Sequence, residues 1–290
     1  MRHGKLFVIV SFVLFGFSGF SQTAKTLNIY FYEQPVMFFK SDKAGEYSGV
    51  EADILKEFVK WCDSKKKIKV TPKYYGYKSF NDYYSAMQSA PANSIGAGTT
   101  TINDERKQQF DFSAPYLKNV AVFVSQGSVP TFSKPTAQNA MGTKANHLEA
   151  VKTANTVNEQ FGRLTGLAEK GSVHYLYMQD FISKYSPNTV IQAVNGNPGD
   201  ILASDPKYVA YMDIIAYREL IKNSDKYFKI HRELSMDGES FGFLLPKNSE
   251  WLPLINEFME GGFGFTATRR YREILENYLG YEVISTVELF

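Results

Sequence analysis

The chain has 290 residues but only one cysteine, Cys62, and four histidines. A single cysteine permits no internal disulfide, and a chain of this length buries enough surface to fold without one. Next to Trp61, at the end of an amphipathic segment, Cys62 reads as a small core residue rather than a nucleophile. His3, His147, His174 and His231 are scattered and lack the spacing of a zinc site. A Gly-rich phosphate loop and a nucleophile elbow are also missing, which leaves little for phosphoryl-transfer or serine-hydrolase chemistry. Net charge is small as well. Setting aside Arg2 and Lys5 leaves 30 of the 32 basic residues against 30 acidic ones, so nucleic acid and anionic lipid are disfavoured as partners. No repeat or low-complexity segment interrupts an ordinary globular composition.

The longest apolar run, Leu6 to Phe17, follows Arg2 and Lys5 and precedes Ser18, Gly19, Phe20 and Ser21. This is the layout of a secretory signal peptide, with cleavage expected before Gln22, so that residues 1–21 are removed on export to the periplasm. About 15 apolar residues at 1.5 Å each fall short of a roughly 30 Å hydrocarbon core, which argues against a membrane anchor. No cysteine follows the run to carry a lipid.

What the chain has in abundance is aromatic residues, with 19 Tyr and 23 Phe, suited both to core packing and to the walls of a ligand cleft. Its segments alternate. Leu27 to Phe31, Ile68 to Val70, Ile95 to Gly98 and Val120 to Val124 read as strands. Val50 to Trp61, with Ile54, Leu55, Phe58 and Trp61 at helical spacing, and Phe80 to Met87 read as helices. Residues 127–140, rich in Ser, Thr, Pro and Gln, read as a connection. A second series follows: a strand near residues 140–144, helices over 157–168 and 173–185, strands near 190–193 and 208–212, then a strand at 241–245 and helices over 251–259 and 266–278. Strands alternating with helices imply an α/β fold with mostly parallel sheets.

The most informative stretch runs from Thr99 to Tyr116, TTTINDERKQQFDFSAPY. Asn103 is placed to cap a short helix with Asp104 and Glu105 in its first turn. A helix N-terminus offers unpaired N–H groups and partial positive charge to an anion. Arg106, one turn in, adds a guanidinium that grips a carboxylate with two parallel hydrogen bonds. The plainer reading of the same pattern is a capped, solvated surface helix.

Thr101, Ile102, Arg106 and the run Phe110-Asp111-Phe112-Ser113-Ala114-Pro115-Tyr116 together resemble the signature of the family 3 periplasmic solute-binding proteins, the polar amino acid receptors of ABC importers. The resemblance continues through Gly45-Glu46-Tyr47-Ser48-Gly49-Val50-Glu51-Ala52-Asp53, Tyr211-Met212-Asp213, Phe241 to Lys247 and Tyr271 to Gly280, in family order. It implies a type II periplasmic binding protein fold of two lobes joined by two hinge crossings. Residues 22–124 and 233–290 would form the first lobe and 125–232 the second.

The resemblance further implies a small amino acid-like zwitterion, buried between lobes that close like a hinge. Arg106, with Thr101 and N–H groups near Thr99 and Thr101, would take the α-carboxylate, and Asp213 the α-ammonium, since a buried charge must be paired. Asp213 also reads simply as the cap of the helix starting at Ile214. Phe38 and Tyr77 are expected aromatic contacts. Thr143, Asn146 and His147 lie near where the family's second-lobe Gly-Thr loop is sought, with Asn146 standing where glycine is usual. Residues 173–185 read as an insertion. No cofactor and no metal are called for, and the expected partner is a membrane permease, the protein itself being a monomer. Two alternatives stay open. One is a dehydratase of the cyclohexadienyl type on the same fold, with Glu33 or Glu239 as its acid. The other is a ligand sensor, for which no second hydrophobic span or signalling domain follows the closing helix.

Overall fold

The computed structural model describes residues 23–43, 45–132, 155, 159, 161–281, 283 and 284. The expected signal peptide, the strand near 140–144, and Thr143, Asn146 and His147 lie outside the described residues.

Two five-strand paths organise the molecule. The first comprises β1 (Thr23–Tyr32), β4 (Ile68–Tyr77), β5 (Ser94–Ala97), β6 (Phe110–Phe112) and β13 (Leu244–Pro246), in the order β4-β1-β5-β13-β6. A small β2 (Phe39–Lys40) and β3 (Tyr47–Ser48) ladder stands apart. The second path comprises β7 (Leu117–Gln126), β8 (Thr165–Glu169), β9 (Val190–Val194), β10 (Tyr208–Asp213) and β11 (Phe228–Ile230), in the order β11-β7-β10-β8-β9, with β12 (Met236–Phe241) also paired to β7. Each sheet has a parallel heart, β4-β1-β5 in one and β10-β8-β9 in the other, and antiparallel pairings elsewhere. Helices flank both sheets, and the molecule is an α/β protein of two lobes.

The helices in chain order are α1 (Val50–Trp61), α2 (Phe80–Gln88), α3 (Asp104–Gln109), α4 (Val173–Tyr185), α5 (Pro198–Leu202), α6 (Ile214–Lys222), α7 (Leu252–Glu260) and α8 (Arg269–Leu279). Helix α1 follows its apolar spacing: Ile54, Leu55 and Phe58 are buried against the first sheet. Its start is fixed by Gly49, at φ 119°, where a Cβ would sit 2.3 Å from the Met37 carbonyl oxygen, a position no other residue fills without displacing backbone. Ser79, Asn103, Ser172, Asn197, Asp213 and Thr268 each cap a helix by accepting a backbone N–H. Strand β4 runs on to Tyr77, well past Val70, with Pro72 in its middle. It occupies the sheet edge, where proline is tolerated because one side of the strand has no ladder to supply.

The segment 157–168 is not one helix. Its last part is β8, a strand between β10 and β9 with Leu167 and Ala168 fully buried. A short apolar stretch covered on both faces carries no period that separates strand from helix. The segment 173–185 is helix α4, which packs Met178 and Phe181 into the second lobe's own cluster, against Phe123, Phe161 and Tyr211.

The chain leaves the first sheet after Phe112 and joins the second at Leu117, and it returns between Phe241 and Leu244. The passages between the sheets therefore lie before β7 and after β12, and β11 at 228–230 still belongs to the second sheet. The two passages lie side by side. Ser113 N–H donates to the Phe243 carbonyl (2.9 Å), Phe243 N–H donates to Ser113 Oγ (2.9 Å), and Tyr116 N–H donates to the Phe241 carbonyl (3.0 Å).

Candidate functional site

Arg106 sits on the short helix α3 with its side chain turned inward, and the residue is 7% exposed. Asn103 Oδ1 accepts its backbone N–H at 2.8 Å. The guanidinium donates through one terminal nitrogen to the Thr101 carbonyl (3.0 Å) and lies over the Phe80 and Tyr84 rings, 5.3 and 5.5 Å from their centroids. The charges of Glu105 and Glu239 act on it as well, after those of Tyr84 and Tyr83. Burial pushes its pKa down from the ordinary arginine value, though an arginine retains its charge at any physiological pH. A buried, oriented guanidinium of this kind is suited to receive a carboxylate.

Thr99 and Thr101 are buried as well. Thr99 is held at φ 46°, a left-handed conformation costly for a β-branched residue. Its N–H donates to Glu51 Oε1 (3.0 Å) and its hydroxyl to Gln34 Oε1 (2.9 Å). The Thr99 amide is therefore already taken and is not open to a ligand. Tyr116 also donates to Glu51 Oε1, and burial raises the Glu51 carboxyl pKa to about 7. Thr101 forms a bridge with Phe241, tying this loop to the returning chain. Helix α3 has six residues and its own Asn103 cap, so its dipole adds little to the arginine's charge.

Between the lobes lies a cavity of about 250 Å³. Tyr32, Gln34 and Pro35 line it from the first lobe, and Glu169, His174, Asn197, Tyr211 and Asp213 are among its second-lobe walls. Arg106 and the threonines are not part of this wall. Two links join them to it: Gln34, which accepts from Thr99, and His174, whose imidazole feels the Arg106 charge.

Asp213 is the last residue of β10 and caps α6, its Oδ1 accepting from the Ala216 N–H at 2.7 Å. The residue is 8% exposed and burial raises its pKa, opposed by the backbone N–H groups it accepts. The cap and the cavity wall are thus the same residue, with one carboxylate serving both. Glu169, at the end of β8, accepts from the Tyr32 hydroxyl at 3.2 Å. Burial first, then the Asp213 charge, raises its pKa to about 8. Glu169 was not foreseen, nor was the turn behind it. Lys170, Gly171 (φ 79°) and Ser172 lead from β8 into α4. The Gly171-Ser172 pair ahead of a 13-residue helix is the sequence signal of this turn, with Ser172 as the cap.

The expected aromatic contacts are elsewhere. Phe38 is fully buried in the first lobe's core, stacked on Phe31 with centroids 4.2 Å apart. Tyr77 lies beside Tyr32 on the neighbouring strand and stacks on Tyr30 (6.2 Å). Neither lines the cavity. Glu33 forms ion pairs with Lys40 (3.7 Å) and Lys78 outside it, a poor setting for a proton donor in the cleft. Among the described residues no group of three or more His, Cys, Asp or Glu is placed to hold a metal ion, and no helix is long and apolar enough to cross a membrane.

The family model for bacterial extracellular solute-binding proteins, family 3, matches residues 28–281. The chain belongs to that family. No curated protein sequence matches it. Among solved structures, an ancestral arginine-binding protein bound to arginine shares 21% identity and superposes with a TM-score of 0.63, covering 88% of this chain and 98% of its own. The arginine-, lysine-, histidine-binding protein ArtJ from the thermophilic bacterium Geobacillus stearothermophilus shares 18% identity at a TM-score of 0.60, covering 88% and 96%. An ancestral amino acid-binding protein described as a precursor of cyclohexadienyl dehydratase shares 18% identity at a TM-score of 0.57, covering 87% and 94%. At these identities the likeness is one of fold. As a family 3 solute-binding protein, the chain belongs to a family whose members are mostly binding proteins.

Proposed function

We propose that this protein is exported, captures a small amino acid or close analogue between its lobes, and presents the closed form to the permease of an ABC importer. The observation that carries this reading is an interlobe cavity walled by Asp213, Glu169 and His174, with the buried Arg106 behind the wall and its charge acting on His174. A zwitterion satisfies both ends at once: a carboxylate on the guanidinium, an ammonium on the carboxylates. Thr101 supports the arginine through its carbonyl, and Thr99 positions Gln34 at the cavity. The hinge is proposed at the paired passages 113–116 and 242–243, which shifts the lobe boundaries from 124 and 233 to these segments. Export by a cleaved leader fits the N-terminal pattern and the extracellular character of the family. The amino acids bound by the arginine-binding structures fit the acid-rich second-lobe wall.

The test is calorimetric titration of the mature protein with the common L-amino acids, together with Arg106→Ala. Micromolar or tighter binding of at least one amino acid is expected, with a loss of about a hundredfold or more in the variant, the scale of removing one partner of a buried charge pair. Unchanged affinity in Arg106→Ala overturns the carboxylate assignment. Turnover of prephenate or arogenate, with no amino acid bound, favours the dehydratase reading instead.

A further inference from the structure

The second residue of α4 is a buried histidine with an unpartnered Nε2. His174 is 8% exposed, and its Nε2 has no hydrogen-bond partner. It is not a core histidine by neighbourhood, because it lines the interlobe cavity. The contrast is His231, also buried, where both nitrogens are engaged: Nδ1 accepts from the Phe132 N–H (3.0 Å) and Nε2 meets Ser125 Oγ (2.8 Å). A buried polar nitrogen left unpaired costs free energy, and at a cavity wall the cost is removed by whatever fills the cavity.

The surroundings decide which kind of group that is. Burial first, and then the Arg106 charge reaching across from the first lobe, hold the imidazole neutral, with its pKa pushed down to about 3. A neutral imidazole bears one N–H, and next to a guanidinium the electrostatically favoured partner for that N–H is an anion shared with the arginine. His174 is also in the first turn of the 13-residue helix α4, whose partial positive charge points the same way. The edge of Tyr177 or of the imidazole meets the other's face at 6.2 Å, which limits how the ring can turn. The ammonium-seeking carboxylates, Glu169 and Asp213, form a separate part of the wall.

From this geometry we infer that His174 is a ligand-positioning residue: its Nε2–H donates to the ligand carboxylate from the second lobe, opposite Arg106 in the first. The carboxylate then bridges the lobes and rewards closure, since neither residue alone encloses it. This rests on the amino acid reading above and adds the second-lobe half of the anion grip.

The experiment uses the mature protein with His174→Leu and His174→Gln. The common L-amino acids and L-cystine are screened by thermal shift, and the tightest binder is titrated calorimetrically into all three proteins. His174→Leu should weaken binding at least fivefold, and His174→Gln, whose amide restores a donor near the Nε2 position, should return to within threefold of wild type. In ¹⁵N-histidine spectra of the bound wild type, Nε2 should carry the proton. A Leu variant that binds within twofold of wild type, a Gln variant as weak as the Leu variant, or an unprotonated Nε2 in the complex each overturns the inference. Those results leave the amino acid reading intact, whereas a wild type bound by none of the panel overturns that reading and this one with it.

Discussion

The Tyr32 hydroxyl donates to Glu169 Oε1 at 3.2 Å, joining the last residue of β1 in the first lobe to the last residue of β8 in the second. Both residues line the cavity. The bond is a polar strap across the cleft in the closed arrangement.

Tyr32→Phe keeps the ring and removes only the strap. A net hydrogen bond of about 0.5–1.5 kcal/mol should disappear from the closed state, weakening amino acid binding by about two- to tenfold. Titration calorimetry reads this directly. Equal or tighter binding in the variant shows that the bond contributes nothing to closure.

The cleft also sets a pH dependence. Glu169 and Glu51 titrate at about 8 and about 7 in the folded protein, above the ordinary carboxylate value. Between the ordinary value and these, the folded state holds protons that the unfolded state has released, so stability falls as pH rises and levels off above about 8. His174 and His231 work oppositely, their pKa values lowered to about 3 and about 4. They add stability as pH rises toward 6.5 and nothing beyond it. From pH 6.5 to 8 the carboxylate effect therefore stands alone among these groups, and Tm of the ligand-free protein should fall. Glu169→Gln should flatten the slope. A Tm that rises over this interval, or the same slope in the variant, contradicts the assignment.

His231 offers a stability prediction away from the cleft. It is fully buried, with Phe132 N–H, Ser125 and the Phe123 and Phe161 rings around it. His231→Leu leaves the Phe132 N–H and the Ser125 hydroxyl without this partner, at a cost of about 1–3 kcal/mol, or about 2–12 °C in Tm for a chain of this size. Ligand affinity should hold within about twofold, since the residue is not part of the cavity wall. Differential scanning calorimetry and titration of the same sample separate the two effects.

How much of this was legible in the sequence depends on what each residue type encodes locally. Helix α1 was readable because Ile54, Leu55 and Phe58 repeat at helical spacing, and the Asn103 cap because its side chain acts three residues ahead. Strand β8 was not, because Thr-Gly-Leu-Ala-Glu continues the spacing of Phe161 and Leu164 and only its position between two strands makes it extended. Without β8, neither Glu169 at its end, a residue of the cavity wall, nor the Gly171-Ser172 turn that follows is legible. Phe38 failed for a related reason: sequence places an aromatic in a loop but not on a side of it, and the loop folds Phe38 inward onto Phe31 and Tyr47.

Asp213 was read two ways, as ligand contact and as helix cap, and the structure gives it a position that permits both. One substitution separates them. Asparagine caps a helix about as well as aspartate, so Asp213→Asn should retain the bond to the Ala216 N–H and leave Tm nearly unchanged or slightly raised, because a buried charge with raised pKa is removed. If Asp213 holds the ammonium, the same variant should bind amino acids tenfold or more weakly, since a charge-assisted bond becomes a neutral one. Asp213→Ala should lose both. An Asn variant that binds as wild type assigns Asp213 to the cap alone, and leaves Glu169 as the carboxylate for the ammonium.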